Sequence, residues 1–299
     1  MRSLVIPPPI NPKETVRVIA PSGDIRDWER LEQGLQVWRD RGYTVKIPPD
    51  MNQPWGYLAG SDRHRYQQLL EAWNDPECGA IICARGGYGS TRLLEILNWQ
   101  DLQSHPKWLI GFSDVTALQW GLAANKQIGS FHASVASTLG NQPPESIEKF
   151  FGWLEGKIDS VSLSGMGWGG GKAQGILLSG NLNVATHLIG TPLCPDMENV
   201  ILAFEDVAEP PYKVDRMLTH WRLSGLLHKV KGVALGRFSQ SEVSTPTLGM
   251  EEVWRDRLQS LEIPLVVNLP FGHDGINMPL CNGCIAELDG DAGILSYER

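Results

Sequence analysis

The amino-terminal part of the chain alternates between two hydrophobic periods, and this alternation limits the folds open to it. Thr15-Val-Arg-Val-Ile-Ala20, Tyr43-Thr-Val-Lys-Ile47, Gly79-Ala-Ile-Ile-Cys-Ala84 and the run that ends near Gly111 read as short strands. Between them Trp28, Leu31, Leu35 and Trp38, then Tyr66, Leu69, Leu70 and Trp73, then Leu93, Leu94 and Leu97 recur at helical spacing. Gly42 and Asn74-Asp75-Pro76 supply helix stops, and Ser61 a start. Strand and helix in turn, with short connections, predict an α/β fold with a flavodoxin-like parallel sheet covered on both faces. Ligands of such sheets bind beyond the carboxyl ends of the strands.

From about Ser146 to Gln174 the pattern loosens, and Ser162-Leu-Ser-Gly-Met-Gly-Trp-Gly-Gly-Gly171 has linker composition. We expect an α/β domain over 1–160, a Gly/Ser-rich linker over 161–172 and a smaller, β-rich α/β domain over 173–299. Short strands at Gly175–Leu178, Asn199–Phe204, Gly232–Leu235 and Pro264–Asn268 surround a helix at Val214–Leu223.

Composition narrows the function. With 42% apolar residues in 299 the chain can bury a substantial core, and a formal charge of −8 argues against a nucleic-acid or anionic-membrane binder. The start, Met-Arg-Ser-Leu-Val-Ile-Pro-Pro-Pro-Ile, has no secretory apolar core, and no run is long enough to span a bilayer. Five unevenly spaced cysteines fit reduced thiols, so a cytoplasmic protein with small-molecule partners is expected. Cys281-Asn-Gly-Cys284 lies in a turn context beside Pro279 and lacks a second pair for zinc. It reads as packing; no metal or cofactor is expected.

In Trp108-Leu-Ile-Gly-Phe-Ser-Asp-Val-Thr-Ala-Leu118 a strand pattern stops at Ser113 and a helix pattern begins. Ser113 therefore stands on a sharp turn, as a helix cap or as a presented nucleophile. Gly111 matches the nucleophile elbow G-x-S-x-G two residues before the serine, and Val115 departs from it two residues after.

A nucleophilic serine needs a base and a group to orient that base. His273, in Pro270-Phe-Gly-His-Asp-Gly275 after an apolar strand, is the best-placed histidine; His64, His187, His220 and His228 lie in helical or apolar-periodic contexts. Asn199-Val-Ile-Leu-Ala-Phe-Glu-Asp206 places carboxylates at a strand end, and Glu205 and Asp206 compete as the orienting group. The unused one is expected to pair with Lys213 or Arg216. The backbone of Asp114 offers an oxyanion donor at the start of the helix, and Gly87 in Arg85-Gly-Gly-Tyr-Gly89 offers a second.

Val18-Ile-Ala-Pro-Ser-Gly23, Arg85-Gly-Gly-Tyr-Gly89, Ile110-Gly-Phe-Ser-Asp-Val-Thr-Ala117, Ser179-Gly-Asn-Leu182, Phe204-Glu-Asp206 with Pro211-Tyr212 and Asp215-Arg216, and Gly272-His273 together resemble, in order, the LD-carboxypeptidase family of serine peptidases. That family includes the microcin C immunity peptidases. The resemblance implies a Ser113–His273–Glu205 triad, an oxyanion hole at Gly87 and Asp114, and no metal. It also implies a two-domain architecture with Ser113 on the first domain and Glu205 and His273 on the second, in a homodimer. The implied reaction releases terminal D-alanine from murein tetrapeptides in peptidoglycan recycling.

The alternatives are a microcin C-type immunity peptidase, whose extended loop with a stacking aromatic has no room between Glu205 and the next helix, and a non-catalytic protein binding a small anion. Phe131-His-Ala-Ser134 stands where relatives often carry His-Gly-Pro. Arg85 and Gly86 are candidate substrate contacts: a guanidinium at Arg85 can pair bidentately with a carboxylate or brace its loop.

Overall fold

A computed structural model describes residues 3–241 and 248–299. The first sheet contains β1 (Thr15–Ile19), β2 (Thr44–Lys46), β3 (Cys78–Cys83), β4 (Trp108–Gly111) and β5 (Ser130–His132). These run parallel in the order β2-β1-β3-β4-β5. They are linked through helices α1 (Trp28–Asp40), α2 (Asp62–Asn74), α3 (Ser90–Ile96) and α4 (Thr116–Lys126). The order reverses between β1 and β3, which opens a crevice at their carboxyl ends.

Alternate strand residues feed separate cores, as the pleat requires. Val16, Val18, Ala80, Ile82 and Ile110 pack with Leu31, Leu35 and Trp38 of α1 and with Ala136 and Leu139 of α5 (Ala136–Leu139). Ile81, Cys83 and Leu109 pack with residues of α2, α3 and α4 on the other face.

After α6 (Pro144–Leu154) the chain builds an eight-stranded sheet from β6 (Ser160–Ser164), β7 (Met166–Gly167), β8 (Lys172–Asn181), β9 (Val200–Val207), β10 (Gly232–Ser239) and β11 (Leu265–Val267). It is completed by β13 (Ile285–Asp289) and β14 (Ile294–Glu298), in the order β6-β14-β13-β8-β9-β10-β11-β7. Strands β8 to β11 are parallel and the others antiparallel. The intervening helices are α7 (Leu182–Thr186), α8 (Pro211–Leu223) and α9 (Met250–Leu258). Strand β12 (Leu280–Asn282) crosses back and pairs antiparallel with β5, so the carboxy-terminal part of the chain completes the first sheet.

Residues 161–172 are not a linker. Val161 and Leu163 are buried while Ser160, Ser162 and Ser164 face out, so β6 is a period-two strand whose serines gave it linker composition. Only Gly165 separates β6 from β7, although they occupy opposite ends of the strand order, so the sheet rolls until its edges meet. The glycines serve that closure: a Cβ on Gly167 would fall 2.3 Å from the Gly290 carbonyl oxygen.

Both cores continue into the second sheet, through Leu177, Ile201 and Ala203 on one side and Leu178, Leu202 and Phe204 on the other. Trp120 of α4 stacks on Phe204 and meets Trp221 of α8 edge-on, with both centroids 6.1 Å away. The half that carries Ser113 is therefore packed against the half that carries Glu205 by buried aromatic contacts.

The α1–α5 contact yields a test with an inverted sign. Alanine in place of a mid-helix glycine ordinarily gains about 1 kcal/mol. A Cβ on Gly34 would lie 1.7 Å from the Ala136 carbonyl oxygen, so the helices must separate. Gly34→Ala is expected to lose about 1–3 kcal/mol in urea unfolding.

Candidate active site

Ser113 follows Phe112 at the end of β4 and has φ 63, in the left-handed region that a non-glycine residue enters at a cost of about 1–3 kcal/mol. It opens one 3-10 turn, Ser113–Val115, which runs into α4. The N-cap position of α4 belongs to Val115, so Ser113 is not the cap of that helix. Packing holds the strained turn. The buried Asp114 carboxylate accepts the Ser90 N–H at 2.8 Å, and the Ser90 hydroxyl donates to the Asp114 carbonyl. Burial raises the Asp114 pKa, against the opposing hydrogen bond from Ser90.

Val115 packs directly over Gly111, where an added Cβ would lie 2.9 Å from a valine methyl. The close strand–helix approach therefore needs a glycine only on the strand side, which accounts for the departure from G-x-S-x-G. Gln119 Nε2 donates to both the Gly111 and Phe131 carbonyls, at 2.9 and 3.0 Å, fastening this turn to β5.

The loop after β3 passes over the serine. A Cβ on Gly86 would lie 3.1 Å from Ser113 Oγ and 3.8 Å from Asp114 N, so this glycine leaves the space above the hydroxyl and the amide open. Gly87 has φ 116 and rests against Gly23 from the loop after β1, and the Gly23 N–H donates to the Gly86 carbonyl at 3.2 Å. Arg85 braces this junction, donating from Nη1 to the Asp24 carbonyl at 2.7 Å and from Nε to the Gly86 carbonyl at 3.2 Å.

Glu205 and Asp206 point to opposite sides of β9. Glu205, fully buried, meets His273 Nδ1 through Oε2 at 2.5 Å. Asp206 accepts from Asn181 Nδ2 at 2.8 Å, from the Asn183 N–H at 2.9 Å and from its neighbour Val207 N–H at 2.8 Å. Geometry thus separates two carboxylates that the sequence leaves as equals. The expected pairing of the second with Lys213 or Arg216 does not form. Lys213 pairs instead with Glu209, one helical turn before it, at 3.2 Å. Burial, with the Glu205 charge beside it, pushes Asp206 up to about 7.

His273 sits on a tight turn after β11. Gly272, at φ 130, brings the backbone against Glu205, whose Cβ would be 3.3 Å from an added Cβ. Its N–H donates to Asn277 Oδ1 at 3.0 Å, and the Asn277 N–H donates to Gln142 Oε1 at 2.8 Å. The imidazole packs on Phe112 with centroids 4.7 Å apart. Burial works against a charge on the ring, but the adjacent Glu205 carboxylate outweighs it, so the His273 pKa lies above its ordinary value. His132 differs: fully buried between Phe112 and Phe271, its pKa is pushed down to about 4, chiefly by burial, and its ring is neutral.

Ser113 and His273 line one cavity of about 450 Å³, with Arg85, Gly86, Gly87, Phe112 and Val207. With Nδ1 held by Glu205, Nε2 is the nitrogen left to exchange a proton at the cavity. The start of α1 adds Arg26, Asp27 and Arg30, and α5 adds Ser137 and Thr138. None of the five was a sequence candidate: they reach the cavity through the packing of α1 against α5, which leaves no local signal. The Phe131–Ser134 segment, with its altered motif, does not line this cavity.

Cys281, within β12, and Cys284, in the turn that follows, lie buried with sulfurs 2.7 Å apart. Among the described residues, no cluster of three or more His, Cys, Asp or Glu side chains is placed to hold a metal, and no helix is long and apolar enough to cross a membrane.

The Glu205–His273 contact can be read directly by NMR. The His273 ring is expected to titrate above about 6.5 in the wild type, and lower in Glu205→Gln, where burial is opposed only by the Asp206 charge. An unchanged midpoint would show that the carboxylate does not act on the ring.

Comparison with known proteins gives this arrangement a lineage. Residues 16–133 match the LD-carboxypeptidase N-terminal domain and residues 174–288 the LD-carboxypeptidase C-terminal domain. A Synechocystis sp. protein named "putative carboxypeptidase" is 48% identical over 99% of this chain and 98% of its own. The murein tetrapeptide carboxypeptidase of Pseudomonas aeruginosa is 30% identical, covering 92% of this chain and 93% of its own. The crystal structure of muramoyltetrapeptide carboxypeptidase from Oxalobacter formigenes superposes with a TM-score of 0.86 at 31% identity, covering 95% of this chain and 99% of that one. The microcin C7 self-immunity protein MccF, in complex with glutamyl sulfamoyl guanosine, superposes with a TM-score of 0.89 over 99% of this chain and 98% of that one; at 21% identity it shares the fold. On these grounds the chain belongs to the LD-carboxypeptidase family.

Proposed function

We propose that this protein is a serine carboxypeptidase that releases terminal D-alanine from murein tetrapeptides by cutting the LD bond before it. The observation that carries the reading is the buried Glu205 on His273 Nδ1, with His273 opening onto the cavity that also holds the strained Ser113. In this mechanism His273 Nε2 takes the Ser113 proton as Oγ attacks the scissile carbonyl. Glu205 fixes the tautomer and stabilises the imidazolium. The N–H groups of Gly87 and Asp114 meet the oxyanion. His273 returns the proton to the leaving D-alanine amine, an ester to Ser113 remains, and water activated by the same histidine hydrolyses it.

Arg85 is suited to the terminal carboxylate of the substrate. Its bonds to the Asp24 and Gly86 carbonyls use only part of its donor fork and pre-orient the rest at the cavity. Bracing and binding are then one arrangement. Residues 1–160 would supply the nucleophile and residues 173–299 the acid and base. Murein-acting relatives at 30% and 31% identity support this substrate class, and recycling of released muropeptides would place the enzyme in the cytoplasm; a homodimer is what the family resemblance implies.

A second reading is hydrolysis of acyl-sulfamoyl nucleotides, the compounds in the MccF complexes. Against it, β9 is joined to α8 by Ala208–Pro210 alone, which offers no aromatic side chain to stack on a base. Assays of a murein tetrapeptide and an aspartyl sulfamoyl adenosine side by side separate the two, with turnover expected on the tetrapeptide. Ser113→Ala is expected to lower kcat by about 10⁴- to 10⁶-fold while still binding the peptide. Retained turnover in that variant would overturn the mechanism, and binding without turnover by the wild type would favour a non-catalytic anion-binding protein.

A further inference from the structure

The reaction as proposed draws its nucleophile from one half of the molecule and its base and acid from the other. Displacement of reacting groups by 1 Å can cost about 10²-fold in rate. Apolar packing between the halves resists separation but discriminates weakly against small slides, whereas a buried hydrogen bond fixes both distance and direction. One chain of buried hydrogen bonds crosses the junction beside the reaction centre, and it uses residues of three sequence motifs for which the chemistry itself has no role.

Thr116 is the first residue of α4, three positions after Ser113, and is fully buried. Its Oγ1 accepts the Asn181 N–H at 2.9 Å. The contact is close because the preceding residue is glycine: a Cβ on Gly180 would fall 2.5 Å from the Thr116 methyl. Asn181 ends β8 and stands opposite Glu205 in the β8–β9 register. Its Nδ2 donates to Asp206 Oδ1 at 2.8 Å, and its Oδ1 accepts the Val184 N–H at 3.1 Å. Asp206 is bonded covalently to Glu205 and anchored by two backbone N–H groups. None of the three residues lines the catalytic cavity.

We propose that Thr116, Asn181 and Asp206 form an inter-domain clamp that sets the placement of Ser113 relative to His273, acting as positioning residues. The proposal rests on the Ser113–His273–Glu205 reading above. The clamp ties the helix that follows the Ser113 turn to the strand of Glu205 through two buried side-chain hydrogen bonds. Trp120, whose Nε1 donates to the Ser179 carbonyl at 2.9 Å, and the aromatic packing around it hold the halves together when the clamp is cut. Loss of the clamp should therefore loosen alignment more than it lowers stability.

The test uses the full-length protein and compares Thr116→Val, which keeps the shape and removes the acceptor, with Thr116→Ser, which keeps the acceptor. The readouts are the rate at which a fluorophosphonate labels Ser113, kcat and KM on the peptide substrate, and the melting temperature. Thr116→Val is expected to lower labelling rate and kcat by about 10- to 100-fold with KM nearly unchanged, and Thr116→Ser to stay within about threefold of wild type. Asp206→Leu, which is similar in size and removes the acceptors, should reproduce the loss and serves as the readout if Thr116→Val does not fold. Wild-type rates in Thr116→Val and Asp206→Leu would overturn the clamp, as would equal losses in Thr116→Val and Thr116→Ser. A wild-type protein that does not label at Ser113 would overturn the triad reading itself, and the clamp with it.

Discussion

Glu205 is shut off from solvent, and a buried carboxylate is tolerated only where its charge is met. Here His273 meets it at 2.5 Å. Much of the surrounding structure serves to bring these two groups together. Glu205 is carried to the site on β9, in the parallel heart of the second sheet, with both neighbouring strands paired along it. His273 arrives from the far side on a turn that has glycine at 272, closed by Asn277 and braced by Arg237, which donates to the Asp274 carbonyl. Glu205 is fixed by the strand, and His273 by the hydrogen bonds that close its turn.

The first sheet answers this pair with a strained serine. Its strand reversal between β1 and β3 opens the crevice, the glycines of the β3 loop keep the space over Ser113 free, and buried Asp114 locks the turn from below. In the proposed mechanism neither half suffices alone, because Ser113 lacks a base in one and His273 lacks a nucleophile in the other. The return of β12 into the first sheet and the shared aromatic core make the halves one packed unit. Asp206 shows how finely adjacent residues divide the work: one peptide unit from Glu205, it faces away from the imidazole and holds Asn181 instead.

How far the sequence revealed this depended on whether the signal was local. The strands and helices of the first sheet could be read from hydrophobic period, and Ser113 from the abrupt change of period at one residue. His273 stood out because glycine-flanked turns after buried strands present side chains. Glu205 and Asp206 could not be told apart by pattern, since opposite faces of a strand acquire identities only from what packs on them; the family resemblance, and then the geometry, supplied that. The linker expectation over 161–172 failed because serines on the exposed face of β6 and glycines at the barrel-like closure mimic linker composition while Val161 and Leu163 keep a strand period. Arg26, Arg30 and Thr138 were missed because they reach the cavity through tertiary packing of α1 against α5, which no local pattern announces.

The central claim is that Ser113 is the nucleophile served by His273, with Gly87 and Asp114 at the oxyanion. A crystal structure of the protein after reaction with a peptidyl phosphonate tests all of it at once. Phosphorus is expected on Ser113 Oγ, with one phosphoryl oxygen within hydrogen-bond distance of the Gly87 and Asp114 amides, and His273 Nε2 against the adduct while Nδ1 remains on Glu205. An unmodified Ser113, or an adduct whose oxygen lies away from both amides, would contradict it.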